Sequence, residues 1–130
     1  MTSHTAVRTD QAPAPVQGAP YSQAVVAGDL VFVSGQVPLD PSGSPVGGSI
    51  TDQTRQVFAN LAAILGAAGS GLDRIVRTTV YLADLDDFQE MNGAYAAFFT
   101  ADPPARTTFE VSRLPAGARV EIDCIALRGT

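Results

Sequence analysis

Apolar and polar positions change period several times along the chain, and each change marks an element. Residues 23–37, QAVVAGDLVFVSGQV, are two apolar, β-branched runs separated by Gly28-Asp29. Glycine tolerates the positive φ of a tight primed turn, so the pair predicts a β-hairpin. The next segment, PLDPSGSPVGGS (38–49), is punctuated by Pro and Gly and reads as a loop. From Ile50 to Ala68 the spacing turns helical: Val57, Leu61, Ile64, Leu65 and Ala68 share one face. Ser49 with Asp52 supplies an N-terminal cap, and Gly69 and Gly71 stop the helix.

A strand follows at 74–85, where Val76, Thr78, Val80 and Leu82 alternate with Ile75, Arg77, Thr79 and Tyr81. One of its faces is markedly more polar. Helical spacing returns over 84–99, with Phe88, Met91, Tyr95 and Phe98 on a stripe. Asp84, Asp86 and Asp87 stand at its start, where the helix dipole favours acids. Residues 105–112 and 118–127 read as strands joined by RLPAGA. Residues 1–17 are rich in Ala, Pro, Gln and Thr without a period and read as a flexible arm ahead of one domain, 18–130. The order is β-β-α-β-α-β-β, an α+β domain whose sheet buries one face under two helices. The other face keeps a fair share of apolar side chains. Either it stays half wet on a monomer or, as expected here, a second copy covers it.

Composition narrows the function. With 130 residues, 45% hydrophobic and 16% charged, the chain can bury one real core. No apolar run nears the roughly 20 residues of a membrane span, and the N-terminus lacks a signal-peptide core. A soluble cytoplasmic protein is the expectation, with no membrane partner. Acids outnumber bases thirteen to eight, which argues against a nucleic-acid partner. One cysteine, Cys124, and one histidine, His4, leave no disulfide, zinc site or histidine dyad to expect.

Two charged residues are out of character with their strands. Arg106 stands in PPARTTFEV (103–111), behind two rigid prolines. A guanidinium there can grip a carboxylate bidentately, or it can pair with a surface acid such as Glu110. Strand alternation puts Thr108 on its face. Glu121, in ARVEID (118–123), can orient a water and take its proton, or it can be a solvent-facing strand acid beside Arg119 and Asp123. Cys124, by parity with Val120 and Ile122, belongs to the face opposite Glu121 and reads as a small core residue.

Several stretches in order, APYSQAV (19–25), FVSGQVP (32–38), MNGAYAAFF (91–99) and PPARTTFEVSRLPAGARVEID (103–123), resemble the RidA/YjgF family of enamine/imine deaminases. The resemblance covers roughly residues 15–128 and implies a chorismate-mutase-like α+β fold in a barrel-like homotrimer, with clefts between subunits. It implies hydrolysis of 2-imino acids and enamines such as 2-aminoacrylate to 2-keto acids and ammonia, without metal or cofactor. By resemblance, the substrate arginine falls on Arg106 and the water-holding acid on Glu121. The aromatic lid falls on Tyr21, the serine of the SGQ motif on Ser34 and the helix asparagine on Asn92. Read locally, Tyr21 covers a ligand or packs at a subunit contact. Ser34 contacts substrate or closes a strand-end turn, and Asn92, beside Gly93 in a helix, makes a close contact or a hydrogen bond to a loop. Thr108 stands where many members carry cysteine, and Ala19 where Gly-Pro-Tyr is common. A threonine excludes thiol redox chemistry at that position but leaves imine hydrolysis intact. A dedicated enamine substrate and a non-catalytic metabolite sensor are the alternatives. Ribonuclease activity, also ascribed to the family, fits the acidic balance least.

Overall fold

The computed structural model describes residues 3–129. Eight elements follow one another: β1 (Thr5–Val7), β2 (Ala24–Ala27), β3 (Leu30–Gln36), α1 (Ile50–Ala67), β4 (Ile75–Leu82), α2 (Phe88–Ala96), β5 (Ala105–Glu110) and β6 (Val120–Leu127). They form one mixed sheet in the order β1-β2-β3-β6-β4-β5. Every neighbouring pair is antiparallel except β4 and β5, which run parallel because α2 carries the chain back between them. Among the described residues no helix is long and apolar enough to cross a membrane.

Local chemistry accounts for the boundaries. Gly28, at φ +61°, makes the two-residue connection that puts Ala27 opposite Leu30. Ser49 caps α1 by accepting from the Asp52 amide at 3.1 Å, and Gly69, at φ +77°, ends it. The predicted stripe of α1 is buried, joined by Phe58. Phe58 stacks on Phe98 at 4.4 Å and meets Tyr95 edge-on at 5.4 Å, which pins α1 to α2 and its C-terminal extension. Under the helices lie Val31, Val33, Val80, Leu82, Val120, Ile122, Cys124 and Ala126, so Cys124 sits in the core as its parity requires. The opposite sheet face leaves Phe32, Phe109 and Leu127 exposed.

Three expectations change. The stretch read as an arm carries β1, which pairs with β2 from Thr5↔Val26 to Val7↔Ala24. Three residues are too few to show a period, and the tie that follows is non-local. Buried Gln23 accepts from the Thr9 amide at 2.7 Å and donates to the carbonyls of Ala12 and Pro13. The helix predicted from residue 84 begins at Phe88, behind a 3-10 turn (Leu85–Asp87) in which Asp84 accepts from the Asp86 amide. In β4 a register shift between Ile75 and Arg77 puts Ile75 with buried Thr78, Val80 and Leu82, and turns Val76 outward. A bulge of one residue reverses strict alternation, and nothing in the strand's own sequence announces it.

Because Phe58 contacts three rings of the α2 region, Phe58→Ala should cost about 3–5 kcal/mol. Urea unfolding at fixed protein concentration measures this. A loss under about 1 kcal/mol would mean the α1–α2 contact is not set by that ring.

Candidate active site

The first cluster is built on α2 and β5. Phe88, Asn92 and Tyr95 lie at i, i+4 and i+7, so α2 presents them on one stripe. In the parallel ladder Arg106 pairs with Thr78, and Thr78 is fully buried, so both side chains point to the helix side of the sheet. The Arg106 guanidinium lies 4.8 Å from the Tyr95 ring centroid and 5.6 Å from that of Phe88. Its Nη2 donates to Asn92 Oδ1 at 2.7 Å. Tyr95 and Thr78 share a hydrogen bond of 2.8 Å, which fixes the ring beneath the guanidinium. Burial raises the Tyr95 phenol above its ordinary value, partly offset by Thr78 and Arg106.

Arg106 has no carboxylate partner among the described residues, where Arg119–Asp87, at 2.7 Å, forms the one ion pair. Glu110 turns away and accepts from the Leu85 amide at 2.9 Å, so the surface pairing considered for Arg106 is not formed. Asn92 serves the guanidinium rather than a loop. Thr108, two residues on and on the same face, has a buried Oγ1 with no hydrogen-bond partner among the described residues.

The second cluster lies on the open face. Glu121 is paired with Tyr81 across the β4–β6 ladder, and Asp123 follows two residues on along the same face. The register of β3 against β6 slips by one residue between Val33 and Gln36, which places Ser34 and Gly35 in a bulge. A methyl group on Gly35 would collide with Glu121 Oε2, so only glycine lets the carboxylate lie over that backbone. Among the described residues Glu121 forms no ion pair, and Arg119 turns to Asp87. Burial first, and the charge of Asp123 second, hold the Glu121 carboxyl above the usual carboxylate range. Ser34 Oγ donates to the Ser22 carbonyl at 2.6 Å, a bond across to the segment before β2 rather than within a turn. Tyr21 is exposed, and its hydroxyl accepts from the Val16 amide at 2.7 Å. Tyr21 and Ser34 line one shallow hollow with His4 and Phe32.

The six candidate residues thus separate: Arg106, Asn92 and Thr108 lie together, Tyr21 and Ser34 share the hollow, and Glu121 lies against Gly35 on the open face. Strand β4 separates the Arg106 and Glu121 strands, roughly 10 Å apart, and the side chains leave opposite faces. One chain does not bring them together. Sequence reading missed Phe88 and Tyr95, although their spacing around Asn92 was visible. It also missed Gly35, Tyr81 and Asp123, for which only the i, i+2 relation of Asp123 to Glu121 was a signal.

A family model described as Endoribonuclease L-PSP matches residues 9–128. A RutC family protein of Pyrococcus horikoshii is 50% identical over 121 residues, covering 92% of this chain and 94% of that protein. The 2-iminobutanoate/2-iminopropanoate deaminase of Mus musculus is 44% identical over 124 residues, covering 95% of this chain and 90% of that protein. The crystal structure of E. coli TdcF with bound serine superimposes with a TM-score of 0.89 at 37% identity, covering 96% of this chain and 99% of that one. In sequence and in fold, this chain belongs to the YjgF/RidA family.

Proposed function

We propose that the protein hydrolyses 2-imino acids and their enamine tautomers to 2-keto acids and ammonia, in clefts formed where the Arg106 cluster of one subunit meets the Glu121 cluster of another. One observation carries the reading: Arg106 is held between two rings and Asn92 with no acid to neutralise it. An oriented guanidinium without a partner is a carboxylate receptor in waiting, and every 2-imino acid has a carboxylate. The deaminase name of the mouse relative and the serine, itself a carboxylate ligand, in the TdcF crystal support the same class. The apolar side chains on the open sheet face and the division of the site between two faces support a homotrimer, the assembly expected from the family.

The chemistry needs little more than positioning. With the carboxylate on Arg106, the protonated imine carbon faces a water held by Glu121. Glu121 accepts a proton as the water's oxygen bonds to that carbon, giving a carbinolamine. The same carboxyl returns the proton to the nitrogen, ammonia leaves with the C–N electron pair, and the carbinol O–H proton is lost as the ketone forms. A carboxyl held above its ordinary value is a stronger base than an unperturbed one, which suits a group that must first accept a proton and then return it. A narrower reading gives the site a dedicated substrate. It is favoured by the buried, unpartnered Thr108 hydroxyl, which would hydrogen-bond a polar group on the ligand.

Two measurements test the proposal. With 2-iminopropanoate generated by an amino-acid oxidase and survivors trapped by semicarbazide, wild type should deplete the imine. Arg106→Ala should lower kcat/KM by about 100-fold or more, the loss of about 3 kcal/mol of charged hydrogen bonding. Arg106→Lys should rescue it only in part, since an ammonium cannot bind bidentately. Depletion by Arg106→Ala at the wild-type rate would end the carboxylate-receptor role.

The second measurement is stability. A carboxyl whose folded value is raised binds its proton more tightly in the folded state, so stability falls as pH rises through the window above the ordinary value of 4.5. Glu121→Gln should therefore be more stable than wild type at neutral pH, with the gain vanishing in acid. Urea midpoints at about pH 7 and about pH 4 give the comparison. An equal gain at both would show that Glu121 is not held under electrostatic strain.

A further inference from the structure

On the open face the second acid beside Glu121 is immobilised. Tyr81 donates its hydroxyl to Asp123 Oδ2 at 2.7 Å, and the Tyr81 ring is itself braced edge-on against Phe109 at 5.2 Å. Tyr81 is also the direct ladder partner of Glu121. One side chain of β4 therefore spans both acids of β6, and holds Asp123 at the spacing of two residues from Glu121. Gly35 closes the opposite side with bare backbone, against which the Glu121 carboxylate lies.

No cation interrupts this arrangement among the described residues. From β4, Tyr81 and Thr79 face the two acids. Arg77, further along, pairs in register with Ile125 and donates to Thr107 Oγ1 at 2.9 Å. From β3 the facing groups are Ser34 and Gly35, neither charged. On the β6 side Arg119 is taken by Asp87. Phe109, beyond Tyr81, carries no charge.

We propose that Asp123, fixed by Tyr81, is a positioning residue for the reaction: its negative charge strengthens Glu121 as the base that takes the proton of the attacking water. This rests on the deaminase reading for its catalytic meaning, while the placing of both carboxylates on one sheet face, with Asp123 held there, stands on the ladder and the Tyr81 hydrogen bond. A charge that could rotate into solvent would be screened, whereas one held by a hydrogen bond on the same sheet face keeps acting on its neighbour. The upward displacement of Glu121, to which Asp123 contributes after burial, has the sign this requires. The Tyr81 phenol, pushed up to about 12 mainly by burial and then by Asp123, remains the donor throughout the working range.

Asp123→Asn tests the charge without removing the acceptor, because an amide oxygen can still receive the Tyr81 proton. The Glu121 side-chain carboxyl is followed by carbon-13 NMR against pH, its resonance identified by its loss in Glu121→Gln. In Asp123→Asn the Glu121 midpoint should move down, and the acid limb of the kcat/KM profile should move down with it. The plateau should fall a few-fold, as a weaker base predicts. Asp123→Ser provides a second neutral variant if the first folds poorly. An unmoved Glu121 midpoint in the neutral variants would overturn the inference whatever the activity. A moved midpoint in a wild-type protein that hydrolyses no imine would instead sink the deaminase reading, and with it the catalytic role of Asp123.

Discussion

The register of β4 between β6 and β5 is the constraint on which the rest depends. Thr78 lies opposite Cys124 on one side and Arg106 on the other, and Tyr81 lies opposite Glu121 and Phe109. Three positions separate Thr78 from Tyr81, an odd number, so the two cross-sheet rows emerge on opposite faces. The Arg106 row is thereby committed to the helices and the Glu121 row to the open face. A slip of one residue would bury Glu121 in the core and expel Cys124 from it. Burying an unpaired carboxylate among Val31, Val33 and Val80 costs far more than any single contact gains, so the core itself enforces the register.

Electrostatics at the site is arranged by what the charges do not touch. The ion pair between Arg119 and Asp87 is partly exposed and contributes little stability as such. Its positions matter more: Asp87 immediately precedes Phe88, which flanks Arg106, and Arg119 lies two residues before Glu121. By pairing with each other they leave Asp87 occupied rather than available to Arg106, and Arg119 occupied rather than available to Glu121. Arg106 is steadied by ring faces and an amide oxygen, which orient a guanidinium without cancelling its charge. Glu121 is steadied by space at Gly35 and left with an acid for company. Both groups are held in place and electrostatically unsatisfied, which suits a ligand carrying a carboxylate and a protonated nitrogen.

The aromatic cluster joins core to site. Tyr95 belongs to both: its ring packs on Phe58 and Phe99, its hydroxyl meets Thr78, and its face receives Arg106. A packed interior leaves such a ring little freedom, so the seat of Arg106 inherits the rigidity of the α1–α2 contact. The N-terminal segment plays the corresponding part for Tyr21, through Gln23 and the Val16 amide.

Much of this was legible in the chain itself. Hydrophobic period located both helices and five of the six strands, because period is set by the local geometry of each element. Parity placed Cys124 in the core and Thr108 beside Arg106, since alternation along a strand is also local. The residue types left Arg106 and Glu121 with two readings each, and only the resemblance to the RidA/YjgF family gave them the roles of carboxylate receptor and water-holding acid. What only the tertiary structure decided is everything that compares one strand with another. The bulges at Val76 and at Ser34-Gly35, the edge strand Thr5–Val7, and the opposite faces of Arg106 and Glu121 are set by ladder register and strand order. So are the partners that each charge finds or lacks. Those are contacts between residues far apart in sequence, chosen by the core as a whole, and no window along the chain contains them.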